Sequence, residues 1–283
     1  MKIIDPHLHL FDQQLGQYSW LAPDVAPFWK DKALINKDFT ITDIRLSTPF
    51  EACGFVHIEA GFDNQAPWRE LSWLEGLATT NMKTIASVDL CQSSKDFANT
   101  LDKLCQFSSL CGVRHILDDS ANALLQNSQV QHNLQQIAAR ELIFECQLNG
   151  TDTRAIDTLT KYLKHQLKFK IVINHAAFPA PSTAENLIWQ NNMLKLAECD
   201  NVFVKASGWE MIDREYPTQH IQNIVTWLIG AFGADKIMLA SNFPLCLFSC
   251  SYQELWLNYS QLDFSTPTIN ALIYANAKNC YGF

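Results

Sequence analysis

Two histidines one residue apart, His7 and His9, stand near the start of the chain in the stretch KIIDPHLHLFD. Alternate side chains of a β-strand share a face, so both imidazoles would aim at one place. Neutral imidazoles so placed can ligate a divalent transition metal, zinc foremost, or act as hydrogen-bonding and proton-accepting groups without one. More chemistry stands at or just beyond the ends of later apolar runs: His57 and Glu59, Asp89, Arg114 and His115, Glu145 and Gln147, His175, Lys205 and Trp209, and Asn242. The planar fork of Arg114 suits a substrate carboxylate or a lactone carbonyl, and equally a structural ion pair. His57 and Glu59 share a strand face and are candidates to line a pocket or to form a core pair. Gln147, Lys205 and Trp209 are further candidates for substrate contact, Lys205 having the alternative of a snorkelling surface lysine.

The elements that must position these groups can be read from periodicity. Short runs rich in Ile, Val and Phe recur: KIID at 2–5, CGFVHIEAG at 53–61, TIASVDL at 84–90, CGVRHIL at 111–117 and LIFECQLNG at 142–150. FKIVINHAAFP at 169–179, NVFVKASGW at 201–209 and KIMLASNFP at 236–244 complete the series. Such runs are what parallel strands buried on both faces require. Between them lie amphipathic stretches, at 67–80, 128–142 and 154–167, and TPTINALIYANAKNCYGF closes the chain as a helix. Eight strands alternating with helices in 283 residues predict a single (β/α)₈ barrel spanning 1–283. No glycine-rich dinucleotide turn follows the first strand, which argues against an open doubly wound sheet. Residues 13–50, with Trp20, Pro23, Pro27, Trp29 and Pro49, break the alternation. They predict a long loop over the catalytic face, with Trp20, Trp29 and Trp209 as possible pocket walls.

Composition excludes several classes. A formal net charge of -8 with no basic run argues against nucleic acid. No apolar segment approaches the roughly 20 residues of a membrane span, and the N-terminus has no signal-peptide pattern. The nine cysteines are scattered, odd in number and without a CxxC pair, as in a reduced protein. The expectation is a cytoplasmic enzyme with a small-molecule partner. His115 alternates away from Arg114, and His132, His165 and His220 fall in helical stretches, so none of these four is a site candidate.

Five motifs taken in order, DPHLHLFD, GVRHIL, INHAAFP, NVFVKASGW and DKIMLASNFPLC, resemble the amidohydrolase superfamily, specifically its amidohydrolase-2 branch. The resemblance runs from residue 3 to NAKNCYGF. It implies a (β/α)₈ barrel and hydrolysis of a lactone or related ester. It further implies either one divalent metal, zinc first, on His7, His9 and His175, or a metal-free site in which histidines and Arg114 polarise the carbonyl. A binuclear centre is not implied, since the run ending in Gln147 supplies no histidine.

One departure stands out. Family members typically end the eighth strand with an aspartate that handles the hydrolytic water, and here ASNFP puts Asn242 at that position. A carboxamide cannot accept a proton as a carboxylate does. The expected base is therefore His175, His9 or Glu59, with Asn242 orienting the water. The alternatives are a barrel that binds a small molecule without catalysis and a metal-dependent decarboxylase.

Overall fold

Eight parallel strands pair strictly in chain order: β1 (Lys2–Leu8), β2 (Glu51–Ile58), β3 (Met82–Ser87), β4 (Leu110–Ile116), β5 (Ile143–Gln147), β6 (Ile171–Ile173), β7 (Val202–Ala206) and β8 (Ile237–Leu239). The sheet closes just beyond β8. Leu8 bridges Phe243 in parallel, and the His9 N–H donates to the Phe243 carbonyl at 2.7 Å. The computed structural model describes residues 1–77, 81–165, 169–180 and 182–283.

The intervening helices follow the predicted alternation. They are α1 (Trp68–Gly76), α2 (Ser94–Leu104), α3 (Ala121–Gln126), α4 (Ser128–Ala139), α5 (Thr153–Leu163), α6 (Thr183–Ala197), α7 (Trp209–Ile212), α8 (Thr218–Phe232) and α9 (Tyr252–Ser260). Residues 78–80 of the first expected helix and 166–167 of the third lie outside the described residues. The closing helix has a π-helical turn, Ala271–Ala275, between its α segments Thr266–Asn270 and Asn276–Tyr281. All nine cysteines are free thiols. Among the described residues no helix is long and apolar enough to cross a membrane.

Two apolar clusters divide the interior. Ile4, Val56, Ile58, Ile85, Ile143, Val172 and Met238 come together from strands all around the sheet, which only the barrel lumen allows. Tyr281 and Cys280 of the closing helix join this cluster and plug the end opposite the site. The larger cluster packs the outer strand faces against the helices. As expected, residues 13–50 form an irregular loop, with two short 3₁₀ turns at Ser19–Leu21 and Lys32–Leu34.

Candidate active site

β6 stops at Ile173, well short of the predicted run. The chain then turns left-handed for four residues, His175 to Phe178, with φ between 50 and 56°. Left-handed backbone in residues with a Cβ is costly and persists where surroundings enforce it. Trp189 Nε1 donates to the Ala176 carbonyl at 2.8 Å, and the Gly150 N–H donates to that of Ala177 at 2.8 Å. The turn sets the His175 ring 4.6 Å from that of His7. Gly208, at φ 74°, makes room for it: a Cβ there would lie 2.6 Å from His175 Nδ1.

Across the ring of strand ends lies a cavity of about 560 Å³ lined by His9, Glu59, Arg114, Gln147, His175 and Asn242. The long loop contributes Trp20 and Trp29 to its wall, in line with the expectation for the loop. Gly61, Asp118, Met211 and Leu245 complete much of the remainder. Asp118 is a lining residue that the sequence reading missed. It sits just after β4 and accepts from Gln147 Nε2 at 3.2 Å, and burial raises its carboxyl above the ordinary range.

The three histidines are held in defined orientations. His9 Nδ1 donates to the Ile58 carbonyl at 2.8 Å, so its Nε2 carries a lone pair. His175 Nδ1 pairs with Ser207 Oγ at 3.0 Å. His7 Nδ1 faces the Lys205 ammonium at 3.4 Å, leaving a buried Nε2 without a partner among the described residues. An ammonium can only donate, so the proton of His7 sits on Nε2. Burial keeps all three rings neutral: it drives His7 and His9 well below the usual imidazole range and His175 down to about 3. Lys205 adds to the effect on His7, and Arg114 to that on His9 and His175.

Arg114 donates through Nε to Glu59 Oε1 at 2.8 Å and through one terminal nitrogen to the Glu59 carbonyl at 2.8 Å. Its other terminal nitrogen has no hydrogen-bond partner among the described residues. Burial raises the Glu59 carboxyl despite the adjacent guanidinium.

Four sequence candidates lie away from the cavity wall: His7, fully buried behind His9 and His175, and His57, Lys205 and Trp209. His57 and Glu59 do not share a face, because β2 ends at Ile58 and the two-residue period ends with it. His57 Nε2 meets Glu70 of α1 at 3.0 Å, and the Leu10 N–H donates to its Nδ1 at 3.2 Å, a clamp on the chain leaving β1. Lys205 neither reaches the cavity nor snorkels to solvent. It is fully buried in the lumen, 2.7 Å from Glu145 Oε2, and that carboxylate also accepts from Asn174 Nδ2 and from Tyr281 Oη at 2.6 Å. Trp209 is buried and donates to Tyr259 Oη at 2.8 Å rather than walling the pocket. His115 Nδ1 bonds the Val88 carbonyl at 3.0 Å.

The metal expectation meets a mixed donor set. His9 and His175 keep Nε2 free of protein partners among the described residues, which suits a divalent ion by donor type, but Lys205 holds the His7 proton on Nε2 and leaves that nitrogen no lone pair to give. Among the described residues no three His, Cys, Asp or Glu side chains are disposed to hold one ion. The residues present do not fit a metal centre.

Asn242, in left-handed conformation at φ 55°, lines the cavity and is fixed at both backbone ends. Its N–H donates to the His7 carbonyl at 2.9 Å, and its own carbonyl accepts from the Leu245 N–H at 2.8 Å. Its side-chain Nδ2 donates to Glu210 Oε1 of α7 at 2.6 Å. Glu210 escaped the sequence reading because it follows the strand end inside a one-turn helix.

The family model described as Amidohydrolase matches residues 4–283. The chain is 29% identical to an uncharacterised protein of Sinorhizobium fredii, over 99% of this chain and 98% of that one. It is 24% identical to an L-fucono-1,5-lactonase of Burkholderia multivorans, over 98% of this chain and 95% of that one. A crystal structure of an amidohydrolase from Burkholderia multivorans with bound zinc covers 100% of both chains, with a TM-score of 0.80 at 19% identity. With the motif series in order and the family model matched along almost its whole length, the chain belongs to the amidohydrolase family, in its amidohydrolase-2 branch.

Proposed function

We propose that the protein hydrolyses a lactone or a closely related cyclic ester, without a metal in the reacting set. The observation that carries this reading is the convergence of His9, His175, Arg114 and Asn242 on one cavity at the C-terminal end of the barrel. Its volume suits a small monocyclic substrate. Full-length similarity to an L-fucono-1,5-lactonase supports a sugar lactone as the substrate class. Zinc in the related structure belongs to that protein.

In this scheme the free terminal nitrogen of Arg114 donates to the lactone carbonyl and stabilises the oxyanion that forms on it. The lone pair on His9 Nε2 faces the cavity and accepts the proton of the attacking water. Its low basicity is offset as charge develops, because the imidazolium is generated beside the oxyanion. His175 holds the water from the opposite side, and Asn242 accepts a hydrogen bond from it. When the ring C–O bond breaks, the proton on His9 passes to the leaving oxygen. Gln147 and the Trp20 and Trp29 rings contact the remainder of the substrate.

A panel of sugar lactones and aromatic lactones, assayed by acid release, tests the proposal. Replacing His9 by Gln should lower kcat by about a hundredfold, the scale of one general-base contribution. If no lactone is turned over while the cavity binds a small molecule tightly, the binding-protein reading, which Asn242 favours, takes its place.

A further inference from the structure

Asn242 stands where the family resemblance implies an aspartate, and a carboxylate stands directly behind it. Glu210 Oε1 accepts from Asn242 Nδ2 at 2.6 Å, and Glu210 is buried with 1% of its surface exposed. Among the described residues, Asn242 is the one side chain that hydrogen-bonds this carboxylate. Arg214 is nearby, but its guanidinium is forked onto Asp31, Nε to Oδ2 at 2.8 Å and the second terminal nitrogen to Oδ1 at 3.0 Å. It reaches only the backbone carbonyl of Glu210. A buried carboxylate with no ion pair among the described residues costs stability, and such groups beside a cavity are functional candidates.

The pair has a direction. An ionised carboxylate only accepts, so it draws the NH₂ end of the amide towards itself and turns the oxygen end away. Asn242 lines the cavity, and its backbone is tied at both ends, so the amide oxygen is the end left for the cavity. An amide free to flip would offer the attacking water an acceptor in one orientation and a donor in the other. The acceptor leaves both water lone pairs free, whereas a donor would occupy one of them and draw electron density away from the attacking oxygen.

We infer that Glu210 is a positioning residue that orients the Asn242 amide, so that its oxygen holds the hydrolytic water. This inference rests on the hydrolase reading and goes beyond it. Burial also raises the Glu210 carboxyl to about 7, so the orienting charge is lost in mild acid. The titratable and charged groups facing Glu210 are Arg214 and Tyr216 after α7, Cys246 and Cys250 after β8, and Tyr259 of α9. Burial raises the four uncharged ones, so none of them ionises in mild acid. The competitors in acid are Asp5, raised by burial to about 6 beside Ser241, and the cavity carboxyls Glu59 and Asp118, which burial also raises.

The test compares Glu210→Gln with the unmodified protein in kcat, KM, pH profile and thermal stability. Glutamine keeps the size of the side chain but presents either end of its own amide, so Asn242 is no longer directed. We expect kcat to fall about tenfold with KM changed less than twofold, and the acid limb near pH 7 to vanish. Thermal stability should be equal or higher, because a buried unpaired charge has gone. The double variant N242D/E210Q restores a directed pair with the carboxylate on the cavity side, and should recover activity that Glu210→Gln alone lacks. A merely structural role predicts the reverse coupling: lower stability, an unchanged pH limb and no rescue. That result overturns the inference, as does an acid limb near pH 7 that persists in Glu210→Gln, which would belong to another carboxyl. If the unmodified protein turns over no lactone, the Asn242 side-chain amide resonances, assigned by their loss in Asn242→Asp, decide the orientation by themselves. They should shift with pH through about 7 and stay fixed in Glu210→Gln. Their failure to titrate sinks the inference independently of the hydrolase reading.

Discussion

Lys205 Nζ lies 3.4 Å from His7 Nδ1 and 2.7 Å from Glu145 Oε2, with both Lys205 and Glu145 fully buried in the barrel lumen. The pair therefore connects the packed interior to the tautomer of a site histidine. Burial lowers the Lys205 ammonium, and the Glu145 carboxylate is what opposes that effect. Replacing Lys205 by Met leaves Glu145 charged and uncompensated, which should cost about 3–5 kcal/mol in chemical denaturation. The double variant Lys205→Met with Glu145→Gln should recover most of that loss. Recovery of stability without recovery of turnover would separate the structural contribution of Lys205 from its hold on His7.

Gly208 sits where a side chain would strike the His175 ring, and its φ is one that L-residues pay to adopt. Gly208→Ala should destabilise the protein by about 1–3 kcal/mol and displace His175. Turnover at saturating substrate should fall more steeply than the folded fraction measured by circular dichroism. A fully active Gly208→Ala protein would show that His175 is not held by this contact.

His175 titrates near 3 when folded and near 6.5 when unfolded, so the unfolded chain binds its proton first as pH falls. The sign follows: this histidine's contribution is complete above pH 6.5 and is lost as pH drops towards 3. Asp5 and Glu210, whose carboxyls are raised, act oppositely and favour the fold as pH falls. The difference between the protein and His175→Gln isolates the histidine. Its slope should be up to about 1.4 kcal/mol per pH unit below pH 6. A difference independent of pH would contradict the neutral, buried state of the ring.

Because no three donor side chains among the described residues converge on one ion, turnover should survive exhaustive chelation. Activity after dialysis against a strong chelator should stay within about twofold of the starting value, with zinc well below one equivalent by elemental analysis. Loss on chelation with recovery on added zinc would mean that His7, His9 and His175 rearrange around an ion.

Much of this protein was legible along the chain. The eight apolar runs fixed the barrel order, because buried parallel strands need side chains of one kind and helices between them need another. The same runs located His9, Arg114, Gln147, His175 and Asn242, since barrel strand ends converge on one face whatever the loops do. The assignments that failed share a cause. His57 was paired with Glu59 by a two-residue period that stops where β2 stops. Lys205 was read as a surface or substrate lysine because burying an ammonium is unfavourable until Glu145, 60 positions earlier, supplies the countercharge. Glu210 carries no motif, being an ordinary acidic residue in a short turn of helix. Only the closing of the barrel, which brings Asn242 at the end of β8 against α7, gives it a partner. Local chemistry and periodicity are properties of neighbours in sequence, whereas the state of a buried charge is set by what the folded chain places beside it.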